Sequence, residues 1–240
     1  MGIFSKIKNE VKGWFPAYFA LVMATGIVSI GTSLFGFKAV NDVLFWVNNF
    51  ASALLLALLL CRLLFYYPYF LADLSSFKKG AGFFSVVAAS SILGTQYAQL
   101  KHNYGIASGQ FWFAFVMWLV LIYAFFLIIT TECDKPSLDK GIDGVWLLLV
   151  VATESLAVLG TTLAKQLLFA PEQVLFVTLL AFLLGIVLYL VLIKLIFYRL
   201  TFFQVKLKTW RLRIGLAWGW SASPRWRGQR WCSSLQEWQR

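Results

Sequence analysis

The sequence predicts an all-α polytopic membrane protein, and three observations carry that prediction. Of 240 residues, 60% are hydrophobic and 18% aromatic against 13% charged, too apolar a balance for a water-surrounded domain. The apolar residues fall into six runs, each near the roughly 20 residues that cross about 30 Å of hydrocarbon. The runs also alternate: the first, third and fifth carry Ser, Thr, Gly and one carboxylate, while the second, fourth and sixth read as almost wholly Leu, Phe, Val and Ile. An unpaired polar group in a bilayer core costs kilocalories, so polar residues on alternate spans predict inner and outer helices around a polar path.

A short segment, 1–13, precedes spans at about 14–36, 44–66, 82–100, 110–130, 145–168 and 174–197, and a tail of 205–240 follows. The first span is too long for a signal-peptide apolar region and has no small-residue cleavage site after it, so it counts as a structural helix. Pro16 falls in its first turn, where a missing N–H costs little. Thr25, Ser29, Ser33 and Gly36 then recur at helical spacing as one small polar stripe, with Gly26 and Gly31 keeping it narrow. Such a stripe lets membrane helices pack closely or lines a pore, and both roles can hold together.

The third span repeats the pattern with Ala88, Ser91, Thr95 and Ala98, with Gly94 beside them and Ser90 and Gln96 on neighbouring faces. In the fifth span Glu154, Ala157, Thr161 and Ala164 share a face that Lys165 closes, and Gly160 is placed for close packing. The predicted transport path is therefore Thr25, Ser29, Ser33, Ser91, Thr95, Glu154 and Thr161; the predicted packing glycines are Gly26, Gly31, Gly94 and Gly160. Glu154 is the sharpest single residue, because charge near the bilayer centre is expensive. It reads either as a carboxyl hydrogen-bonded to neighbouring hydroxyls or as a proton-coupling group beside an anion path.

Positive charges give an orientation. Lys6, Lys8, Lys12, Arg62, Lys78, Lys79, Lys135, Lys140, Lys194 and Arg199 fall on one side, and Lys38, Lys101 and Lys165 on the other. The positive-inside rule then places the amino terminus in the cytoplasm, and the expected location is the plasma (inner) membrane. Cys61, Cys133 and Cys232 lie far apart with no C-x-x-C spacing, and His102 stands alone, so no metal site is expected. The chain has no Walker loop, dinucleotide fingerprint, H-E-x-x-H or nucleophile elbow, so neither enzyme chemistry nor a cofactor is expected.

After Gln204 the composition changes. Residues 205–240 hold no Phe, six Arg and six of the 11 Trp, and carry 8 basic against 1 acidic residue, so +7 of the net +11 lies there. A basic, Trp-rich tail suits an anionic membrane surface, nucleic acid, or a shifted reading frame. An interfacial helix would separate charge from aromatics at a 3.6-residue period. Here Trp218, Trp220, Trp226, Trp231 and Trp238 mix irregularly with Ser, Arg, Gln and Gly, which favours the shifted frame over a membrane-surface anchor, with nucleic-acid binding last. Back-translated with free codon choice and read from the third base, Trp210 to Gly228 can spell Pro-Tyr-Trp followed by a small-residue apolar run, as a seventh span would.

The stretch Trp14-Phe-Pro-Ala-Tyr-Phe-Ala-Leu-Val-Met-Ala-Thr-Gly-Ile-Val-Ser-Ile-Gly31 resembles the opening helix of the tellurite-resistance/dicarboxylate transporter family. This family of malate and sulfite transporters and plant slow anion channels belongs to the voltage-dependent anion channel superfamily. Phe84-Ser-Val-Val-Ala-Ala-Ser-Ser-Ile-Leu-Gly-Thr95 resembles its third helix, Gly144-Val-Trp-Leu-Leu-Leu-Val-Val-Ala-Thr-Glu-Ser-Leu-Ala-Val-Leu-Gly160 its fifth, and Arg199-Leu-Thr-Phe-Phe203 the end of its sixth.

The resemblance implies a ten-helix fold of five hairpins, with odd helices around a central pore and even helices outside. It also implies transport of small anions, C4-dicarboxylates such as malate or oxyanions such as tellurite or sulfite, and assembly as a homotrimer in the lipid bilayer. By the same resemblance a chain shifted out of frame after Gln204 lacks helices seven to ten, including the ninth with its pore-blocking phenylalanine. The alternative is a non-transporting membrane scaffold or inactive fragment. Sequencing the nucleotides after codon 204 is expected to reveal further apolar spans in the shifted frame; a shifted frame without them rejects that origin for the tail.

Overall fold

The computed structural model describes residues 15–132, 135–167 and 170–203. The segment 1–13, Cys133, Cys232 and the tail 205–240 therefore lie outside the described residues. Two compact units are separated, 1–199 and 200–240; of the second only 200–203 is described, as the end of the last helix and the residue after it.

The described residues form helices and turns with no strand. In chain order the helices are α1 (Ala20–Leu34), α2 (Lys38–Phe65), α3 (Tyr67–Leu74), α4 (Phe84–Leu100), α5 (Tyr104–Thr131), α6 (Leu138–Gly141), α7 (Leu147–Thr162) and α8 (Pro171–Phe202). Short 3₁₀ turns, Pro16–Phe19, Gly80–Phe83 and Gly144–Trp146, lead directly into α1, α4 and α7. These are the first, third and fifth predicted spans, and all three begin the same way. The turns touch one another, so the three helices start at one end of the molecule and run parallel. Ser85 Oγ fastens this end by donating to Pro16 O at 2.8 Å and Gly82 O at 2.6 Å.

Five helical stretches are long and apolar enough to cross a membrane: Pro16–Leu34, Lys38–Phe65, Tyr104–Thr131, Gly144–Thr162 and Pro171–Phe202. The third predicted span is the exception, because α4 has 17 residues. With its 3₁₀ turn it still reaches about 33 Å at the usual helical rises. It is also the most enclosed helix: every residue from Phe84 to Gln96 is buried. Helices α1, α5 and α7 all pack along it. A helix enclosed by protein needs less hydrophobic surface than one facing lipid, which explains how α4 tolerates Ser85, Ser90, Ser91, Thr95 and Gln96.

The flanking helices each bury one stripe and turn the rest outward. On α5 the stripe is Ala107, Phe111, Ala114, Trp118, Leu121 and Phe125, at alternating steps of four and three. On α8 it is Val174, Thr178, Gly185 and Leu192. The large apolar residues between them, such as Val120, Tyr123, Phe176 and Val187, are exposed as lipid-facing residues should be. Trp118 Nε1 donates to Thr153 Oγ1 at 2.9 Å, satisfying a ring N–H that would otherwise be orphaned at bilayer depth.

Glycines set three of the closest approaches. A Cβ on Gly26 would lie 2.5 Å from Ile92 Cγ2, one on Gly94 would lie 2.7 Å from Leu159 Cδ2, and one on Gly160 would collide with Thr178 Cγ2. Gly31 differs: nothing lies within 4 Å of its Cβ direction, so it makes no such contact. Gly26→Val and Gly94→Val are each expected to cost about 1–3 kcal/mol through overpacking, while Gly31→Val costs little. Melting temperatures in detergent check this, and equal losses at positions 26 and 31 would contradict the packing described.

Candidate functional site

The polar residues inside the bundle are organised by the second span more than its composition suggested. Along α2 the buried stripe is Asn41, Phe45, Asn48, Ser52, Leu59 and Arg62, so a helix that read as almost wholly apolar carries a polar seam. The seam was hidden by averaging, since twenty-eight residues with a few polar ones remain strongly apolar overall. Thr25 Oγ1 donates to Asn48 Oδ1 at 2.5 Å, and Asn48 Nδ2 donates to Gln96 Oε1 at 2.6 Å. Ser29 Oγ donates to Asn41 Oδ1 at 2.7 Å. Tyr97 Oη donates to Asn49 Oδ1 at 2.5 Å. One relay of hydroxyl and amide groups thus joins α1, α2 and α4.

This places the predicted residues individually. Thr25 and Ser29 turn towards α2. Ser33 bonds only Ile30 O, at 2.6 Å in its own helix. Ser91 and Thr95 lie buried on α4, where Thr95 Oγ1 donates to Ser91 O at 2.9 Å. Ser91 Oγ and Gln96 Nε2 are buried with no hydrogen-bond partner among the described residues. Glu154 packs against α8, where a Cβ on Gly185 would collide with its carboxylate. Thr161 is exposed and donates to Val158 O at 2.8 Å. The seven residues therefore sit in three separate places: on the α1–α2 side, on α4, and on the outer parts of α7.

Two charged groups emerge that the sequence offered only as topology markers. Arg62 is buried, 1% exposed, and ion-pairs with Asp73 on α3. Lys79 Nζ takes the other carboxylate oxygen of Asp73 at 2.8 Å. The cluster ties the end of α2 to the segment that leads into α4. A pairing eleven residues apart across a predicted helix end was the available signal, and it is weak because surface pairs at that spacing are common. At the opposite end, Lys101 Nζ pairs with Asp42 Oδ1 at 2.8 Å. Among the described residues no cluster of His, Cys, Asp or Glu could hold a metal ion.

Three parallel helix N-termini meet at the end where the 3₁₀ turns touch, so their positive poles add there. The voltage-dependent anion channel family matches residues 15–220, most of the chain and every helix above. The chain belongs to that family. No curated protein and no solved structure matches it. The family match runs past Gln204 into the segment outside the described residues. Membership makes this multi-pass protein one of a family of channels, in keeping with its five helical stretches long and apolar enough to cross a membrane.

Within this family member the Thr25–Asn48–Gln96 relay is the main polar contact between the first three spans. Asn48→Ala leaves Gln96 Oε1 buried and unpaired, while the Thr25 hydroxyl falls back on Leu21 O of its own helix, an expected loss of about 1–3 kcal/mol. Ser33→Ala, which breaks only a bond within its own helix, is expected to leave thermal stability in detergent nearly unchanged, so similar losses for the two would refute the relay.

Proposed function

We propose that the protein carries small anions across the plasma membrane, C4-dicarboxylates such as malate or oxyanions such as tellurite and sulfite, with its amino terminus in the cytoplasm. The observation that carries this reading is the family match over residues 15–220. The parallel first, third and fifth spans support it physically. Their summed positive poles lower the cost of bringing an anion to one mouth, and a path lined by hydroxyls and backbone dipoles replaces part of a hydration shell without an Arg clamp. Association of three copies, each with its own path, belongs to the same reading.

A second reading is a non-transporting membrane scaffold built from the same helices. The compositional break after Gln204 favours it, because a tail read out of frame supplies no further lining helices. Purified chain in liposomes, tested with malate, sulfite, nitrate and chloride, separates the two. Flux of at least one anion above protein-free liposomes is expected. No flux of any of them, alongside flux by a chain with its frame restored after codon 204, would establish the scaffold reading instead.

A further inference from the structure

Between α2 and α5, with α4 as its floor, lies an apolar groove of about 350 Å³. Leu60 and Leu63 of α2 line one wall, Phe113 and Met117 of α5 the other, and Val86 lies beneath them. Leu60 and Phe113 are exposed, so the groove opens towards lipid. Phe70 of α3 closes the end nearest the gathered 3₁₀ turns, its ring 5.0 Å from that of Phe83 in a T-shaped contact. The other end lies at Gly109 and Gln110, and a Cβ on Gly94 would sit 3.1 Å from Gln110 Cβ. Gly94 is ten residues past Phe84, about 15 Å along α4 at the usual rise. The groove therefore runs the depth of one leaflet, half of about 30 Å of hydrocarbon.

Charge collects at one end of this groove. Arg62 precedes Leu63 on α2, and Asp73 stands one turn beyond Phe70 on α3, so the ion pair joins the two elements that meet there. Lys79 stays about half exposed while it pairs with Asp73, and Lys78 beside it is exposed. Three positive charges against one negative leave a net +2 at the groove's end. Tyr67 and Tyr69 are exposed on the same short helix, as rings at headgroup level are. The cations thus stand at the depth of lipid phosphate, directly past the end of an apolar slot.

We infer that this groove is a binding site for one anionic phospholipid, its phosphate on Lys78 and Lys79 and one acyl chain lying between α2 and α5. Spread over a leaflet's depth, the volume is too narrow for a helix, about 10 Å across with its side chains, and suits a single extended hydrocarbon chain. Apolar walls favour that chain in proportion to the methylenes they cover. Charge selects the headgroup: a zwitterionic lipid brings its own ammonium to the two lysines, whereas a phosphate without one gains their full attraction. On the orientation proposed above this is the cytoplasmic leaflet, where anionic lipids concentrate. A lipid seated here touches α2, α3, α4 and α5 together and stabilises the folded chain by mass action, whether or not the chain moves anions.

The test titrates the full chain in dodecyl maltoside with dioleoyl phosphatidylglycerol, dioleoyl phosphatidylcholine or inorganic phosphate, following the melting temperature and, by native mass spectrometry, the lipids retained per chain. Phosphatidylglycerol is expected to raise the melting temperature, to stay bound as one copy and to bind at least about fivefold more tightly than phosphatidylcholine. Lys78→Gln leaves the Asp73 pairs intact and should weaken it about fivefold, while Lys194→Gln, exposed near the same end on α8, should not. Gly109→Phe should weaken it at least about tenfold by displacing the inner end of the chain. A Cβ at Gly109 meets nothing within 4 Å, so the added ring enters the groove and not the protein. Should Gly109→Phe fail to fold, Gly109→Leu decides. Equal response to the two lipids, the same stabilisation by phosphate alone, equal losses at positions 78 and 194, or undiminished binding by the Gly109 variant would each overturn the site.

Discussion

A polar group at bilayer depth has only protein to bond, and that constraint organises this molecule around its third span. Helix α4 carries more hydroxyl and amide groups than a lipid-facing helix can hold, and it is buried from Phe84 to Gln96 by α1, α2, α5 and α7. Asn48 and Asn49 of α2 bond Gln96 and Tyr97, while Gly26 of α1 and Leu159 of α7 pack closely against the same helix. Without that enclosure, α4 would be the helix least able to stay in the membrane.

The same constraint separates two jobs that small polar residues perform. Thr25 and Ser29 close hydrogen bonds to asparagines on the adjacent antiparallel helix, so their polarity is consumed within the first hairpin. Ser91 is wholly buried on α4, and its hydroxyl has no hydrogen-bond partner among the described residues. Both kinds of residue look alike in a helical stripe.

Electrostatics follow from topology. Because α1, α4 and α7 run parallel from one gathered end, their dipoles reinforce instead of cancelling, and the antiparallel helices that would oppose them lie on the outside. The Arg62–Asp73–Lys79 cluster holds the segment between α2 and α4 in place with one carboxylate shared by two cations, leaving a net positive charge. A family of anion channels is well served by such a mouth.

Helical class, membrane-crossing character and family were legible in the sequence because length and apolarity are set by the bilayer and need no knowledge of neighbours. So were the close approaches at Gly26, Gly94 and Gly160, since a missing side chain in an apolar helix is meaningful wherever it packs. The direction of each stripe was not legible. Periodicity says that Thr25 and Ser29 share a face and that Glu154 and Thr161 share another, but a face has no address until a partner helix is placed against it. Asn41 and Asn48 on α2, outweighed by surrounding Leu and Phe, decided that address for the first span; Gly185 and Thr178 on α8 decided it for the fifth. The sequence alone determined that there are inner helices with polar faces, because water and lipid sort residues by composition; only the tertiary structure decided which polar face meets which neighbour, because that depends on contacts between residues far apart in the chain.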